Sequence, residues 1–372
     1  MPARSPKSTP INVPSTIHIA LLPGDGIGPE VTSAARRVMD RVAARVALTL
    51  TWEEHDFGGA AIDATGQPFP EATRAACQEA DAVFLGAIGG PAWDELDPAR
   101  RPETGLLALR KALGAFANLR PVQVPEALAH LSVLPKERVS GTDLLVVREL
   151  TGGIYFGSPR HHSPEEAYDT MRYYAWEIDR IARVAFETAR QRNGRVVSVD
   201  KANVLASSRL WRERVIERHA EAFSDVELSH MYVDNAAMQI VRDPRSFDVI
   251  LTANLFGDIL SDLSSTLAGS LGVLPSASLG GTTPLFEPVH GSAPEIAGRG
   301  VANPVAAMLS GAMLFDGIGH PAAATAIRHA VDATLQQGCM TVDLDPQGVP
   351  TDAFTDRVCE AIDHVPDTII IA

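Results

Sequence analysis

Residues 17–46, IHIALLPGDGIGPEVTSAARRVMDRVAARV, pass from a strand-like run through Gly24-Asp25-Gly26-Ile27-Gly28 into a helix-like run. Val31, Ala35, Val38, Val42 and Val46 fall on one helical stripe. Pro29 suits the first helical turn, where its missing N–H is not needed. A strand–glycine turn–helix unit invites a dinucleotide-binding reading. The spacing, however, is Gly-x-Gly-x-Gly rather than Gly-x-Gly-x-x-Gly, and Glu53 and Glu54 fit poorly as the acidic strand end that motif requires. A tight turn needing positive φ explains the glycines at least as well.

The same alternation continues outward from this unit and indicates an α/β architecture. ADAVFLGAIGG reads as a strand, followed by a Trp- and Pro-containing loop and the helix PETGLLALRKALG. LLVVREL and GGIYFG read as an antiparallel insertion around Gly152-Gly153, and a long helix is expected from about Glu165 to Arg192, halted by Asn193-Gly194. VVSVDKANV, VELSHMYV and FDVILT read as three strands, each followed by a helix. GSLGVLPSASLGGTTP reads as a loop and EPVHGSAPEIAGRGVANP as a turn, with two helices after them, beginning with VAAMLSGAMLF.

The bulk numbers set outer limits. A chain of 372 residues suits two domains or one large one. A net charge of −14 argues against a nucleic-acid partner and against adsorption to an anionic membrane, and no apolar run reaches the length of a membrane span. Cys77, Cys339 and Cys359 match no disulfide or metal framework, which suggests free thiols in a reducing, cytoplasmic setting. Residues 1–16, with four prolines and no apolar core, are expected to be a flexible tail rather than a secretory signal; Arg4 and Lys7 leave only a weak organelle-targeting reading.

Chemistry enters with NLFGDILSDLSS. Asp258 and Asp262, at i and i+4, share one helix face. Two adjacent carboxylates call for a cation, and a hard divalent metal is the best candidate; a solvated helix face is the alternative. Asp234 in HMYVDNAAM follows another strand and opens another helix, the kind of place where α/β proteins bind ligands. Arg110, Arg120 and Arg148 each lie beside apolar segments and must pair with anions, whether a small dicarboxylate or structural carboxylates. Lys201 in SVDKANV could act as a base or be a surface lysine. Tyr155 could donate a proton or be a half-buried core residue.

Taken in order, LLPGDGIGPEV, RPETGLLALRK, FANLRPV, VVRELTGGIYFG, VDKANVL, MYVDNAAMQ, NLFGDILSDL and EPVHGSAPEIAGRGVANP resemble the isocitrate/isopropylmalate dehydrogenase superfamily, and within it the isopropylmalate branch. The resemblance runs from about Ile17 onward. It implies a two-domain α/β fold with mixed sheets, distinct from a Rossmann fold. The first domain would take residues 17–116 and 269–372, with most of the NAD site, and the second residues 117–268, with the metal site and a homodimer interface. The implied activity is NAD-dependent oxidative decarboxylation of (2R,3S)-3-isopropylmalate in leucine biosynthesis. The nearer rival is a sister enzyme acting on homoisocitrate, tartrate or malate. The farther rival is a metal-dependent hydrolase or lyase that forms no NADH.

By the same resemblance, Arg110, Arg120 and Arg148 grip the substrate carboxylates, and Asp234, Asp258 and Asp262 hold one Mg²⁺ or Mn²⁺. Lys201 and Tyr155 are the catalytic pair, with Lys201 and Asp234 contributed across the dimer. Leu106, Leu107 and Val204 would form an apolar wall for an isopropyl group, where the isocitrate enzymes carry serine or threonine. Glu103 would lie near the nicotinamide, His290, Gly291, Ser292, Ala293 and Pro294 along the adenine side, and Asn303 against the base. Glu295 would accept the ribose hydroxyls and favour NAD over NADP; the family usually has Asp at that position.

Overall fold

The computed structural model describes residues 16–370, so the tail expected over residues 1–16 lies, up to Ser15, outside the described residues. Its strands are β1 (Thr16–Gly24), β2 (Thr49–Glu54), β3 (Ala82–Ala87), β4 (Ala117–Gln123), β5 (Asp143–Glu149), β6 (His161–His162), β7 (Ala167–Tyr168), β8 (Arg195–Asp200), β9 (Glu227–Tyr232), β10 (Val249–Thr252), β11 (Pro275–Leu279) and β12 (Leu285–Pro288). Ten of them build one sheet in the order β2-β1-β3-β12-β11-β4-β5-β10-β8-β9. The two wings are parallel, β2 through β12 on one side and β5 through β9 on the other. The centre is antiparallel, with β11 pairing β12 and β4, and β4 pairing β5. The expected mixed, non-Rossmann α/β fold is what forms.

The inner strands of the parallel wings are apolar on both faces, whereas the edge strands β2 and β9 have no fully buried residue. AVFLGA of β3 and VILT of β10 are buried at every position, as strands covered by helices on both sides must be. The helix Gly28–Arg45 buries the predicted stripe Val31, Ala35, Val38 and Val42, while Val46 lies just past its end. The helix Val305–Gly317 is buried almost all round. Its Gly311 lets Met39 approach, since a Cβ there would lie 2.6 Å from the Met39 sulfur. The two chain ends meet where Arg37, Arg41 and Arg45 of Gly28–Arg45 pair with Asp352 and Asp356, with Asp363, and with Asp367.

Four expectations are corrected. The long helix starts at Ala175, not Glu165, and ends at Arg190. The Glu177 carboxylate accepts the Tyr174 N–H and fixes that start, while residues 161–168 fold back as the hairpin β6–β7. GGIYFG forms a 3₁₀ turn, Gly153–Tyr155, not a strand. Gly153 has φ +73°, and a Cβ on it would lie 2.5 Å from the Tyr173 hydroxyl oxygen. The supposed loop GSLGVLPSASLGGTTP contains β11, a central strand of the sheet, and the turn after it opens with β12. Small side chains let β11 pass between neighbours, with Ser276 Oγ donating to the Glu287 carbonyl and Ser278 Oγ accepting from Asn118 Nδ2. The two helices expected near the C-terminus are followed by further ones, Thr351–Asp363 and the short Asp367–Ile370.

Candidate active site

β10 delivers the chain to the helix Asn254–Ser265, whose first turn is anchored from three sides. The Asn254 N–H donates to the Tyr173 hydroxyl, and its Nδ2 donates to the carbonyls of Leu150 and Gly152. Its Oδ1 is then left to accept both Nε and Nη2 of Arg148, at 3.1 and 2.8 Å. Gly257 makes room for that arginine, because a Cβ there would lie 2.6 Å from Arg148 Cγ. Asp258 and Asp262 project from the accessible side of the same helix.

Around them the structure gathers most of the predicted anion-binding set. Arg148 Nη1 bonds Asp258, and the Tyr155 hydroxyl donates to the other Asp258 oxygen at 2.8 Å. Arg120 donates to Asp262 at 3.1 Å and to Ser261 Oγ at 2.8 Å, and Asn118 Oδ1 accepts its Nε. Arg110 is buried and donates to the buried Glu287 at 2.8 Å. Three guanidinium groups thus face three carboxylates, Asp258, Asp262 and Glu287, and the cluster is neutral when all are ionised. Burial, then the charge of Arg120, pushes the Arg148 guanidinium down to about 10, so it stays cationic at neutral pH. Burial and then Arg110 lower Arg120 as well. Burial, followed by the bond to Asp258, raises Tyr155 above its usual phenol value and keeps its proton in place.

Lys201 and Asp234 form a separate pair, Nζ to Oδ1 at 2.5 Å, at the ends of β8 and β9. That bond holds the Asp234 carboxyl below its usual range. Among the described residues no three acidic, histidine or cysteine side chains are gathered closely enough to hold a metal ion. Within one chain, therefore, Asp258 and Asp262 stand together and Asp234 stands apart with Lys201. Val204 beside them is 63% exposed.

The helix Pro102–Leu113 carries the predicted apolar wall. Leu107 is exposed, whereas Leu106, four residues before Arg110, packs partly against the interior. Glu103 sits on the helix's first turn over Gly89, whose added Cβ would lie 2.8 Å from the Glu103 carboxylate.

The residues expected to bind a nucleotide form a second region. A pocket of about 500 Å³ is lined by Ile27, Leu271, Gly272, His290, Gly291, Ala293, Ile296, Val301, Asn303, Val342 and Asp343. Ser292 backs this wall and Glu295 stands exposed beside it, with Pro294 between Ala293 and Glu295. His290 Nδ1 lies 3.0 Å from the Gly291 carbonyl, to which it must donate, so Nε2 is a bare lone pair, buried and without a partner among the described residues. Burial lowers the His290 pKa and keeps the ring neutral. An orphaned acceptor in a concave wall suits a nucleotide base. The glycine turn supports this wall. Gly24 and Gly26 have φ +73° and +59°, and Ile27 N–H donates to the Ser292 carbonyl at 2.8 Å. Asp25, within the turn, accepts the amides of Gly59, Ala60 and Gly89. A larger void of about 1040 Å³, between Pro121 and Val124 on one side and Leu309 and Met313 on the other, contains none of the predicted residues.

Sequence reasoning missed Asn254, Glu287, Asn118 and Asp343. Their roles arise from contacts between segments far apart in the chain. Only Asn254, at a strand-to-helix junction in NLFGD, carried a local signal.

The sequence model of the family described as "Isocitrate/isopropylmalate dehydrogenase" matches residues 18–362. A protein of Salinibacter ruber named 3-isopropylmalate dehydrogenase is 60% identical over 94% of this chain and 96% of its own. One of the same name from a Synechococcus strain is 57% identical over 89% and 94%. Among solved structures, an isocitrate dehydrogenase from Methylococcus capsulatus superposes with a TM-score of 0.82 at 35% identity, covering 93% of this chain and 99% of that one. A beta-decarboxylating dehydrogenase from Thermococcus kodakarensis gives 0.79 at 37% identity over 94% and 96%.

Proposed function

This chain belongs to the isocitrate/isopropylmalate dehydrogenase family, and we propose that it catalyses the NAD-dependent oxidative decarboxylation of (2R,3S)-3-isopropylmalate to 4-methyl-2-oxopentanoate and CO₂, a step of leucine biosynthesis. The observation that carries the reading to this site is the pairing of Arg120 and Arg148 with Asp258 and Asp262 beside Tyr155, with Arg110, held by Glu287, as a neighbouring charge. A doubly anionic hydroxy acid matches three arginines whose present partners are carboxylates, because its own carboxylates can take those places.

Asp258 and Asp262, with Asp234 from a second subunit, would hold one Mg²⁺ or Mn²⁺; when bound, that ion supplies Lewis-acid polarisation of the substrate hydroxyl. The arginines fix both substrate carboxylates, and Leu107 with Leu106 offers the isopropyl group an apolar face. Lys201, steered by Asp234, would take the hydroxyl proton, and NAD held along the wall of His290 and Asn303 would supply the acceptor for the hydride that leaves carbon. The bond to CO₂ then breaks, its electron pair remains on carbon, and Tyr155 supplies the proton to that carbon. A homodimer is supported by the separation of Lys201–Asp234 from the arginine cluster. It is also supported by the apolar residues left uncovered on the adjoining helices Val233–Arg242 and Asn254–Ser265: Met238 at 57% and Ile259 at 55% exposure. The two-domain division at residues 117–268 is supported by the sheet order, since β4, β5, β10, β8 and β9 all come from that segment and the other five strands from outside it.

Purified protein with isopropylmalate, NAD and Mg²⁺ is expected to form NADH, and excess EDTA to stop it. Faster turnover of homoisocitrate, tartrate or malate would replace this reading with the sister activity, and substrate loss without NADH would sink the dehydrogenase class. Leu106→Ser with Leu107→Val is expected to raise the KM for isopropylmalate about ten-fold, the order of effect a reshaped apolar pocket gives. An unchanged KM would mean that the wall lies elsewhere.

A further inference from the structure

We infer that Asp343 is a positioning residue for the adenine half of the cofactor: by binding Asn303, Ser270 and Thr341 together it locks the Asn303 amide in the orientation that the base meets. The inference rests on the NAD reading above. Asp343 Oδ2 accepts from Asn303 Nδ2 at 3.0 Å and from Ser270 Oγ at 2.8 Å, while Oδ1 accepts from Thr341 Oγ1 at 2.6 Å. At its other end the Asn303 amide oxygen accepts the Val305 N–H at 3.0 Å. Flipping the amide would set its NH₂ against that N–H and its oxygen against the carboxylate, so only one orientation satisfies both partners. Asn303 therefore keeps one N–H without a partner among the described residues.

A second contact clamps the same side chain. Ser270 Oγ accepts the Gly272 N–H at 3.0 Å, and a Cβ on Gly272 would lie 2.9 Å from Asn303 Cβ and 3.0 Å from its Nδ2. Gly272, Asn303, Val342 and Asp343 all line the 500 Å³ pocket that His290 also faces. Across that space the wall offers one donor, the remaining Asn303 N–H, and one acceptor, the His290 Nε2 lone pair. A purine edge with a ring nitrogen next to an amino group presents the complementary pair. Asp343 holds Asn303, Ser270 and Thr341 within the protein, and the action assigned to it here runs through Asn303.

The test is a titration of the intact protein with ADP-ribose and, separately, with nicotinamide mononucleotide. Asp343→Ala is expected to weaken ADP-ribose about three- to ten-fold, the scale of one net hydrogen bond, and to leave nicotinamide mononucleotide unchanged. If Asp343 works through Asn303, the double variant Asp343→Ala with Asn303→Ala binds ADP-ribose no more weakly than Asn303→Ala alone. Asp343→Asn retains an oxygen for Asn303 and the same shape, and should restore affinity to within about two-fold of the unmodified chain. Additive losses, unaltered ADP-ribose binding in Asp343→Ala, or equal weakening of both ligands would each overturn the inference. Absence of ADP-ribose binding by the unmodified chain would instead overturn the NAD reading.

Discussion

Arg148→Met should lower kcat/KM for isopropylmalate about a thousand-fold and leave the protein about 3 kcal/mol less stable, as loss of one partner of a charge pair whose guanidinium is buried does. Arg148 is 3% exposed and has no solvent route to replace its partners. Removing its guanidinium strips two bonds from the buried Asn254 oxygen and the closest cationic partner from Asp258. It also removes the cation lying 5.7 Å from the centre of the Tyr155 ring. Methionine keeps the apolar stem that fills the space over Gly257, so the loss reports on charge more than on packing. Saturation kinetics together with urea unfolding separate the two components. Turnover within ten-fold of the unmodified enzyme would take Arg148 out of substrate binding.

Lys201→Met should spare isopropylmalate binding, measured by calorimetry, and cut kcat by about a hundred- to ten-thousand-fold, the range attributed to general acid–base catalysis. Near-normal kcat would dismiss Lys201 as the base. The same variant probes subunit sharing. In an equal mixture refolded from Lys201→Met and Arg148→Met chains, a mixed dimer has one site bearing both substitutions and one bearing neither, if Lys201 serves the neighbouring subunit. Activity would then recover to about a quarter of the unmodified level, since about half the dimers are mixed and half their sites are intact. No recovery would mean that Lys201 serves its own chain.

The sequence carried the site's composition further than its geometry. Asp258 and Asp262 were legible because four-residue spacing on a helix dictates a shared face, and that holds here whatever surrounds it. Arg110, Arg120 and Arg148 were legible as residues needing anions, but not as neighbours. Their convergence depends on β4 and β5 pairing antiparallel and on the helix Pro102–Leu113 delivering Arg110 to Glu287, which lies in β12. Local pattern failed where polarity is met by distant partners. PSASL reads as loop because serine is rare in strands, yet Asn118 and the Glu287 carbonyl satisfy its hydroxyls inside the sheet. The helix after Glu165 was overextended because its charged residues are helix-compatible, and only the Tyr174–Glu177 bond marks where it begins. The glycine run forms a turn with positive φ at Gly24 and Gly26, the conformation its glycines allow.

The strand order also constrains how the nascent chain can mature on the ribosome. β4, β5, β10, β8 and β9 emerge as one unbroken stretch, so that wing can assemble while synthesis continues. The opposite wing cannot. β1, β2 and β3 emerge first, but the strands that complete their sheet, β11 and β12, appear only after the entire middle has been translated. The open side of β3, an apolar run whose backbone groups await β12, must therefore stay shielded throughout that interval. The first segment made is among the last to be finished, which makes it the stretch where a holding chaperone has most to protect.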